Sequence, residues 1–518
     1  MADKVKDLAS AKVTRNNIGQ FVYELKTYAE SSRRQFERHW YDNNFFDDGY
    51  HFRYMSRSQG KVMDLSEKAS IYNPYRAIPK ASRQIRGISN LLISPRYVPV
   101  VYPEKLLASK YSPEELEEVK KTVRDVAKKS GHWVEQYIKR LSIMEKLAFM
   151  VILTAKNGIS YMEIWPDAVK EEIKCQVYDA FDIYLQGDIT EIYDSPFISK
   201  AVPRLVEEIK ADERFDEEQV DKITPDNRLA SSDIKEAYAK ARFSGNQRNS
   251  ATVSVIQNET FIKEYLTDQV KLRIEDQDDA QEILEGKKNG DVVMRQVFTA
   301  GNIWLRDKYV KLNEYPFVEF RMEPGPIYQV PLIERFIPTN KSLDMAVSRL
   351  ERFFHTMNTG AWLKRQGEQV NFDNRAGGQV IEYANTPPVQ AQITSPSAMS
   401  FPFLQFLSGL IEEQGVSTST LGKLPSGVRA NAAIESLKES EYATLQIAQD
   451  RLKMTVKKIA ETLLDYADDY FVSPQTVQML NKGEPAYFDV IGGNALKKRK
   501  KLNVMDGIEP GTVALKGN

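Results

Sequence analysis

The sequence predicts an α+β protein of several domains, and three observations carry that prediction. Helical spacing of apolar residues up to about 153 gives way to alternating, β-branched segments between 159 and 322. Helical spacing returns from 339 onward, interrupted by a turn-rich insert. Finally, Ala430 to Tyr470 contains no Gly or Pro and keeps one apolar stripe through Ile434, Leu437, Leu445, Ala448, Leu452, Ile459, Leu463 and Tyr470. With 518 residues, 42% hydrophobic and 28% charged, the chain has the balance of a folded protein. At roughly 150 residues per domain its length suggests two to four domains.

The elements follow in order. Phe21, Leu25 and Tyr28 predict a helix over 18–36, and the aromatic, acidic stretch 40–60 reads as an irregular arm. A second helix over 75–93 shares a face between Ile85, Ile88 and Leu91. Residues 105–129 form a charged, solvated helix, and Trp133, Tyr137 and Leu141 start another, buried through Leu153. Residues 159–165 and 173–178 are two strands around a Pro166-Asp167 turn, and 180–187 continues the β character. A charged helical tract, 203–238, and a surface linker, 239–250, precede six strand-like segments over 251–322, VKLRI among them. A helix over 339–358 carries Leu343, Leu350 and Met357 on its apolar face and ends at Gly360. The insert is followed by a helix over 400–414, a Gly/Ser/Thr loop from Gly415 to Arg429, and the long helix. At ~1.5 Å per residue that last helix would be about 60 Å long, more than one compact domain covers. The boundaries fall at 1–74, 75–330, 331–360, 361–398, 399–414, 415–429, 430–473 and 474–518.

Little here points to catalysis. Lys plus Arg number 71 and Asp plus Glu 72, a net charge of −1, so any contact with nucleic acid must be local. A lone cysteine, Cys175, excludes an intramolecular disulfide. No apolar stretch is long enough to span a bilayer, and the polar first thirty residues lack a signal-peptide core, so no membrane contact is expected. Four histidines and one cysteine give no metal cluster, and His355 reads as a partly buried structural residue. The run EDQDD (275–279) lacks the central Gly and closing Glu of a calcium loop. Gly422 to Gly427 has the glycine spacing of a phosphate-binding loop, but Val428 and Arg429 replace its Lys and Ser/Thr. No metal and no cofactor is therefore expected. Asp167, Glu172 and Lys174 superficially match the carboxylate–lysine site of metal-dependent nucleases, which makes a nuclease the enzymatic alternative.

The order helix, β-rich insert, helix, Gly/Ser loop, very long helix resembles the portal proteins of tailed double-stranded DNA bacteriophages. The motifs that carry it are PGPIYQVPLIERFIPTNKSLDMAVSRLERFF, GGQVIEY and QGVSTSTLGKLPSGVRANAAIESLKES, with DAFDIYLQGD upstream. The likeness covers 75–515 and is strongest over 320–470. It implies a wing (75–330), two stem helices, a clip (361–398), a tunnel loop (415–429) and a long helix leading to a helical crown. Many portals continue further, so an end at VALKGN implies that the crown is reduced or missing.

The resemblance implies a non-enzymatic ring, usually of twelve subunits, at one capsid vertex. DNA would enter and leave through it, and it would dock the terminase large subunit, a head-tail adaptor and the major capsid protein. Its place would be the virion, and the host cytoplasm during assembly. The clip's charged residues, Lys364, Arg365, Glu368, Asp373, Arg375 and Glu382, are the expected docking surface. Lys423, Leu424, Pro425, Ser426 and Arg429 are the expected channel residues, with Lys423 and Arg429 repeated round the ring as two positive belts. Arg429 could instead pair with Glu435. A structural adaptor without a channel is the remaining alternative.

Overall fold

The computed structural model describes residues 17–56, 62–69, 74–94, 99–103, 113–167, 172–226, 254–359, 361–367, 379–384, 399–415, 445–470, 475–481, 484–491 and 502–505. Two compact units share the chain: Met1–Glu37 with Ser89–Pro331 and Tyr442–Asn518, and Arg38–Ile88 with Leu332–Glu441.

Helix α1 (Ile18–Asp47) runs well past its expected end at Phe36. The supposed arm therefore starts as helix, with Trp40, Tyr41, Phe45 and Phe46 buried. Covered on several sides at once, this half shows no clean apolar stripe, which is why its period misleads. The antiparallel pair β1 (Arg53–Met55) and β2 (Val62–Asp64) and helix α2 (Lys80–Ile93) follow. After β3 (Val100–Pro103), the charged tract and Trp133–Tyr137 form one helix, α3 (Pro113–Arg140), rather than two. The chain breaks at Ser142, the one non-glycine with positive φ among the described residues, before α4 (Ile143–Asn157).

Strands β4 (Ser160–Asp167) and β5 (Glu172–Asp179) pair antiparallel, and Pro166 and Asp167 lie in β4, not in a turn. Beyond β6 (Ile183–Leu185), strand β7 (Phe197–Leu205) replaces the start of the helix expected from 203. Pro203 is tolerated there because β6 pairs only with the strand's first half, so its missing N–H faces no partner on that side. Only two short helices, α5 (Val206–Lys210) and α6 (Glu217–Val220), remain of that tract, whose last part lies outside the described residues.

Strand β8 (Ser254–Tyr265) leads to VKLRI, which is helical, not a strand: α7 (Asp268–Glu275). Thr267 caps α7, its side chain accepting from the Val270 amide, and this cap outweighs a five-residue alternation. Next come α8 (Ala280–Leu284), β9 (Val292–Ala300), β10 (Ile303–Val310) and β11 (Phe317–Phe320). Then follow α9 (Ile337–Thr359), β12 (Ala361–Arg365), β13 (Gln379–Tyr383), α10 (Ser400–Glu413) and α11 (Gln446–Tyr470). The segment expected as a helical crown is instead β in its described residues. Strands β14 (Gln475–Asn481) and β15 (Glu484–Ile491) pair antiparallel, and β16 (Leu502–Met505) pairs with β3. The alternating, β-branched and aromatic residues of QTVQMLN and PAYFDVI favour that outcome.

The first unit is built on two antiparallel sheets, ordered β10-β9-β8-β7-β6 and β11-β4-β5. Ile18, Val22 and Leu25 of α1 pack on Tyr184, Phe197, Ile262 and Val297 of the larger sheet. Contact is close enough that a Cβ on Gly19 would stand 2.0 Å from the Asn302 carbonyl oxygen. Gly158, at φ 82°, closes α4 and turns the chain into β4, where a Cβ would meet the Gln329 carbonyl oxygen at 2.6 Å. Arg33, wholly buried, stacks 3.7 Å over the Tyr184 ring and pairs with Glu37 at 2.7 Å. It also donates to the Ala180, Phe181 and Ile183 carbonyls, so three backbone acceptors of that turn end on one guanidinium. Helix α11 buries Leu452, Ile459 and Leu463, and Thr455 Oγ1 donates to the Glu319 carbonyl at 3.2 Å.

The second unit contains α9 and α10, packed on each other, and the β12–β13 pair between them in sequence. That pair is parallel, so it is not a hairpin. The buried line of α9 is partly polar: Asn340, Leu343, Asp344 and Ser348. Asn340 Oδ1 accepts from the Ala81 amide at 3.0 Å, and Asp344 Oδ1 accepts from the Ile78 amide at 2.8 Å. Ser348 Oγ accepts from the Arg76 amide at 2.9 Å, so one helix face fixes the segment 76–81. Asp344 also meets His51 Nδ1 at 2.6 Å, both side chains fully buried.

Candidate functional site

Alternate residues of five strands in the first unit face one cavity of about 920 Å³. They are Glu163, Trp165 and Asp167 of β4, Lys174, Gln176 and Tyr178 of β5, Lys200, Val202 and Arg204 of β7, Gln257, Glu259 and Phe261 of β8, and Gln296 and Phe298 of β9. The period of two that points one face of each strand to the core here points charge inward as well. Arg306 of β10, Arg214 and Tyr466 of α11 line it as well.

At its inner end, Lys200 Nζ lies 2.8 Å from both Glu163 oxygens and 2.5 Å from Glu259 Oε2. Gln296 donates to the other Glu259 oxygen at 2.6 Å. Two carboxylates thus share one ammonium. Burial, partly countered by Lys200 and reinforced by Glu259, pushes the Glu163 carboxyl up to about 7. Burial pulls the Lys200 ammonium down, but Glu259 and Glu163 more than offset it and hold it charged.

The outer wall is cationic. Arg214 makes a two-pronged pair with Asp212, at 2.8 and 2.7 Å, which raises the arginine and lowers the aspartate from their ordinary values. Arg204 donates to Gln257 Oε1 at 3.0 Å and approaches Asp212 at 3.8 Å. Arg306 has no hydrogen-bond or ion-pair partner among the described residues. Burial, and then the neighbouring Arg214 charge, lower its affinity for its proton.

The nuclease-like trio meets on the β4–β5 pair, where Asp167 lies opposite Glu172, but its two carboxylates are paired with different cations. Lys174 Nζ pairs with Asp167 Oδ2 at 2.8 Å, whereas Glu172 pairs with Arg140 at 2.5 Å and does not line the cavity. Each carboxylate is already neutralised by a cation instead of sharing an empty position. Among the described residues no group of three His, Cys, Asp or Glu side chains is placed to hold a metal ion. Asp276 to Asp279 connect α7 to α8, and Gln277 Oε1 accepts from the Tyr309 amide at 3.2 Å. His355 is partly buried, as expected, with Nε2 3.7 Å from Glu351 Oε1.

Of the expected docking residues, Lys364 and Arg365 lie on β12 and Glu382 on β13, with Lys364 opposite Glu382 in register and Arg365 exposed. Glu368, Asp373 and Arg375 lie outside the described residues, as do the channel residues Lys423, Leu424, Pro425, Ser426 and Arg429 and the phosphate-loop-like Gly422 to Gly427. What the sequence left unseen is the cavity's charge cluster, while on α10 the apolar face that its spacing predicts, Phe403 and Phe406 with Leu410 and Ile411, is in part exposed. There Met399, Phe403 and Phe406 recur at i, i+4 and i+7 and are exposed, at 72, 51 and 59%, while Leu407 and Ile411 face inward.

No protein-family model matches the chain, and no curated protein matches it. No described helix is long and apolar enough to cross a membrane. The fold is α+β.

Proposed function

We propose that the chain is a portal-type subunit, one copy in a ring that conducts double-stranded DNA at a capsid vertex. In this reading the clip docks the terminase large subunit and then a head-tail adaptor. The shell of major capsid protein surrounds the ring, in the virion and, during assembly, in the host cytoplasm. Chemistry at the ring is not required of it.

The observation that carries the reading is the apolar face of the paired helices. Met399, Phe403 and Phe406 share one exposed face of α10, and Phe401 of α10 and Met345 and Phe354 of α9 add exposed apolar side chains on the same helix pair. Single exposed apolar residues are ordinary, but a run of aromatic residues on adjoining helices marks a protein contact. In a ring, the same face of each copy meets a different face of the next, and closure buries all such faces at once. The parallel β12–β13 pair adds strand edges that a neighbouring copy can extend.

Mass measurement of the purified chain tests the reading. A closed assembly of many copies, of uniform number, is expected. A monomer or dimer at micromolar concentration would contradict it.

A further inference from the structure

The cavity of the first unit has no part in a conduit, and its charges call for an occupant. Each acid near it is engaged: Glu163 and Glu259 by Lys200, Asp167 by Lys174, and Asp212 by Arg214. Arg306 remains, half-buried near Arg214, attracted by Glu259, Asp212 and Asp279 but in ion-pair or hydrogen-bond contact with none of them among the described residues. Arg306 is half-buried and Arg214 exposed, and an anion that bridges them offsets their mutual repulsion.

Three arginines, Arg204, Arg214 and Arg306, share this wall. A carboxylate is satisfied by one two-pronged arginine, whereas a phosphoryl group presents three oxygens and a second charge to several donors. The same cavity is also lined by Trp165, which is only half-buried, and by Pro166 and Pro203. At about 920 Å³ the space lies in the range of sites that enclose a small organic molecule.

We infer that this cavity binds a phosphorylated small molecule, its phosphoryl group on Arg306 and Arg214 and its carbon skeleton against Trp165. The site stands on the first unit alone and does not depend on the ring reading.

Calorimetric titration of the full chain tests it, using inorganic pyrophosphate, ADP and succinate as probes, with the variants Arg306→Ala and Arg306→Lys. One saturable pyrophosphate site per chain is expected, weakened at least tenfold in Arg306→Ala and less in Arg306→Lys, which keeps the charge but not the fork. ADP binding more tightly than pyrophosphate would support a nucleotide source, and equal affinities would support free polyphosphate. Should Arg306→Ala fail to fold, as judged by circular dichroism, the weakening in Arg306→Lys decides. Three results would overturn the inference: no saturable binding, binding unchanged in a folded Arg306 variant, or succinate binding as tightly as pyrophosphate. Displacement of pyrophosphate by a short DNA duplex would also overturn it, since the phosphates recognised would then be those of DNA.

Discussion

The two units handle unfavourable groups in opposite ways. The first takes charge into its interior and neutralises it there: Arg33 on Glu37 and three carbonyls, Lys200 on two glutamates, Arg295 on Glu264 and Asp307 at 3.0 and 2.7 Å. The second buries a polar line on α9 and leaves phenylalanines of α10 in water. In a unit of the first kind the buried ion pairs named here close within one chain, with Arg306 as the exception. One of the second kind keeps apolar surface in reserve, and on the portal reading the adjoining copy supplies the cover. Substitutions in the first unit should therefore act on stability, and substitutions on α10 on assembly.

The largest expected effect belongs to Arg33. Arg33→Ala strands Glu37 and three buried carbonyls, and should cost about 3–5 kcal/mol in denaturant unfolding of the first unit. A loss below about 1 kcal/mol would show that the buried arginine is not what joins α1 to the turn at 180–183.

Glu163 comes next and has a pH signature. Its carboxyl titrates at about 7 in the fold against an ordinary value of 4.5, chiefly through burial. Between those values the folded chain holds a proton that the unfolded chain has released. This contribution to stability is complete below about 4.5 and is lost as pH rises through about 7. The change is on the order of 3 kcal/mol. Glu163→Gln cannot titrate, so the difference in stability between the two proteins should grow between pH 5 and 7.5. A constant difference over that range would contradict the assignment.

A smaller effect is expected at the mouth of the same cavity. The Asp167–Lys174 pair is partly exposed, with Lys174 at 45%, so Asp167→Ala should change stability by about 0–1 kcal/mol. The nuclease alternative instead requires Asp167→Ala to abolish a Mg²⁺-dependent cleavage of DNA, a result that would displace the portal reading.

These contrasts were unevenly legible in the sequence. The strands 254–265 and 292–310 show in their alternation, and α9 and α10 in their three- and four-residue spacing, because each has one face in the core and local sequence records it. Trp40 to Asp47 failed that test, since a helix covered on several sides has no stripe to show. The three members of the Lys200 cluster lie at 163, 200 and 259, on three strands, and no local pattern links residues so far apart. The polar line Asn340, Asp344 and Ser348 was in plain view at helical spacing, but polar residues at that spacing ordinarily mark a solvated face. What identified the resemblance to portal proteins was the order of elements, and part of that order, the loop 415–429, lies outside the described residues.

The comparison is tested most directly by the double variant Phe403→Glu with Phe406→Glu, followed by mass measurement and electron microscopy beside the unaltered chain. Both side chains are more than half exposed in the single chain, so the thermal midpoint of the isolated subunit should move little. The account predicts closed rings for the unaltered chain, with α10 in the contact between copies, and separate subunits for the variant. Rings that persist in the variant, or unaltered rings in which Phe403 and Phe406 face open solvent, would contradict it.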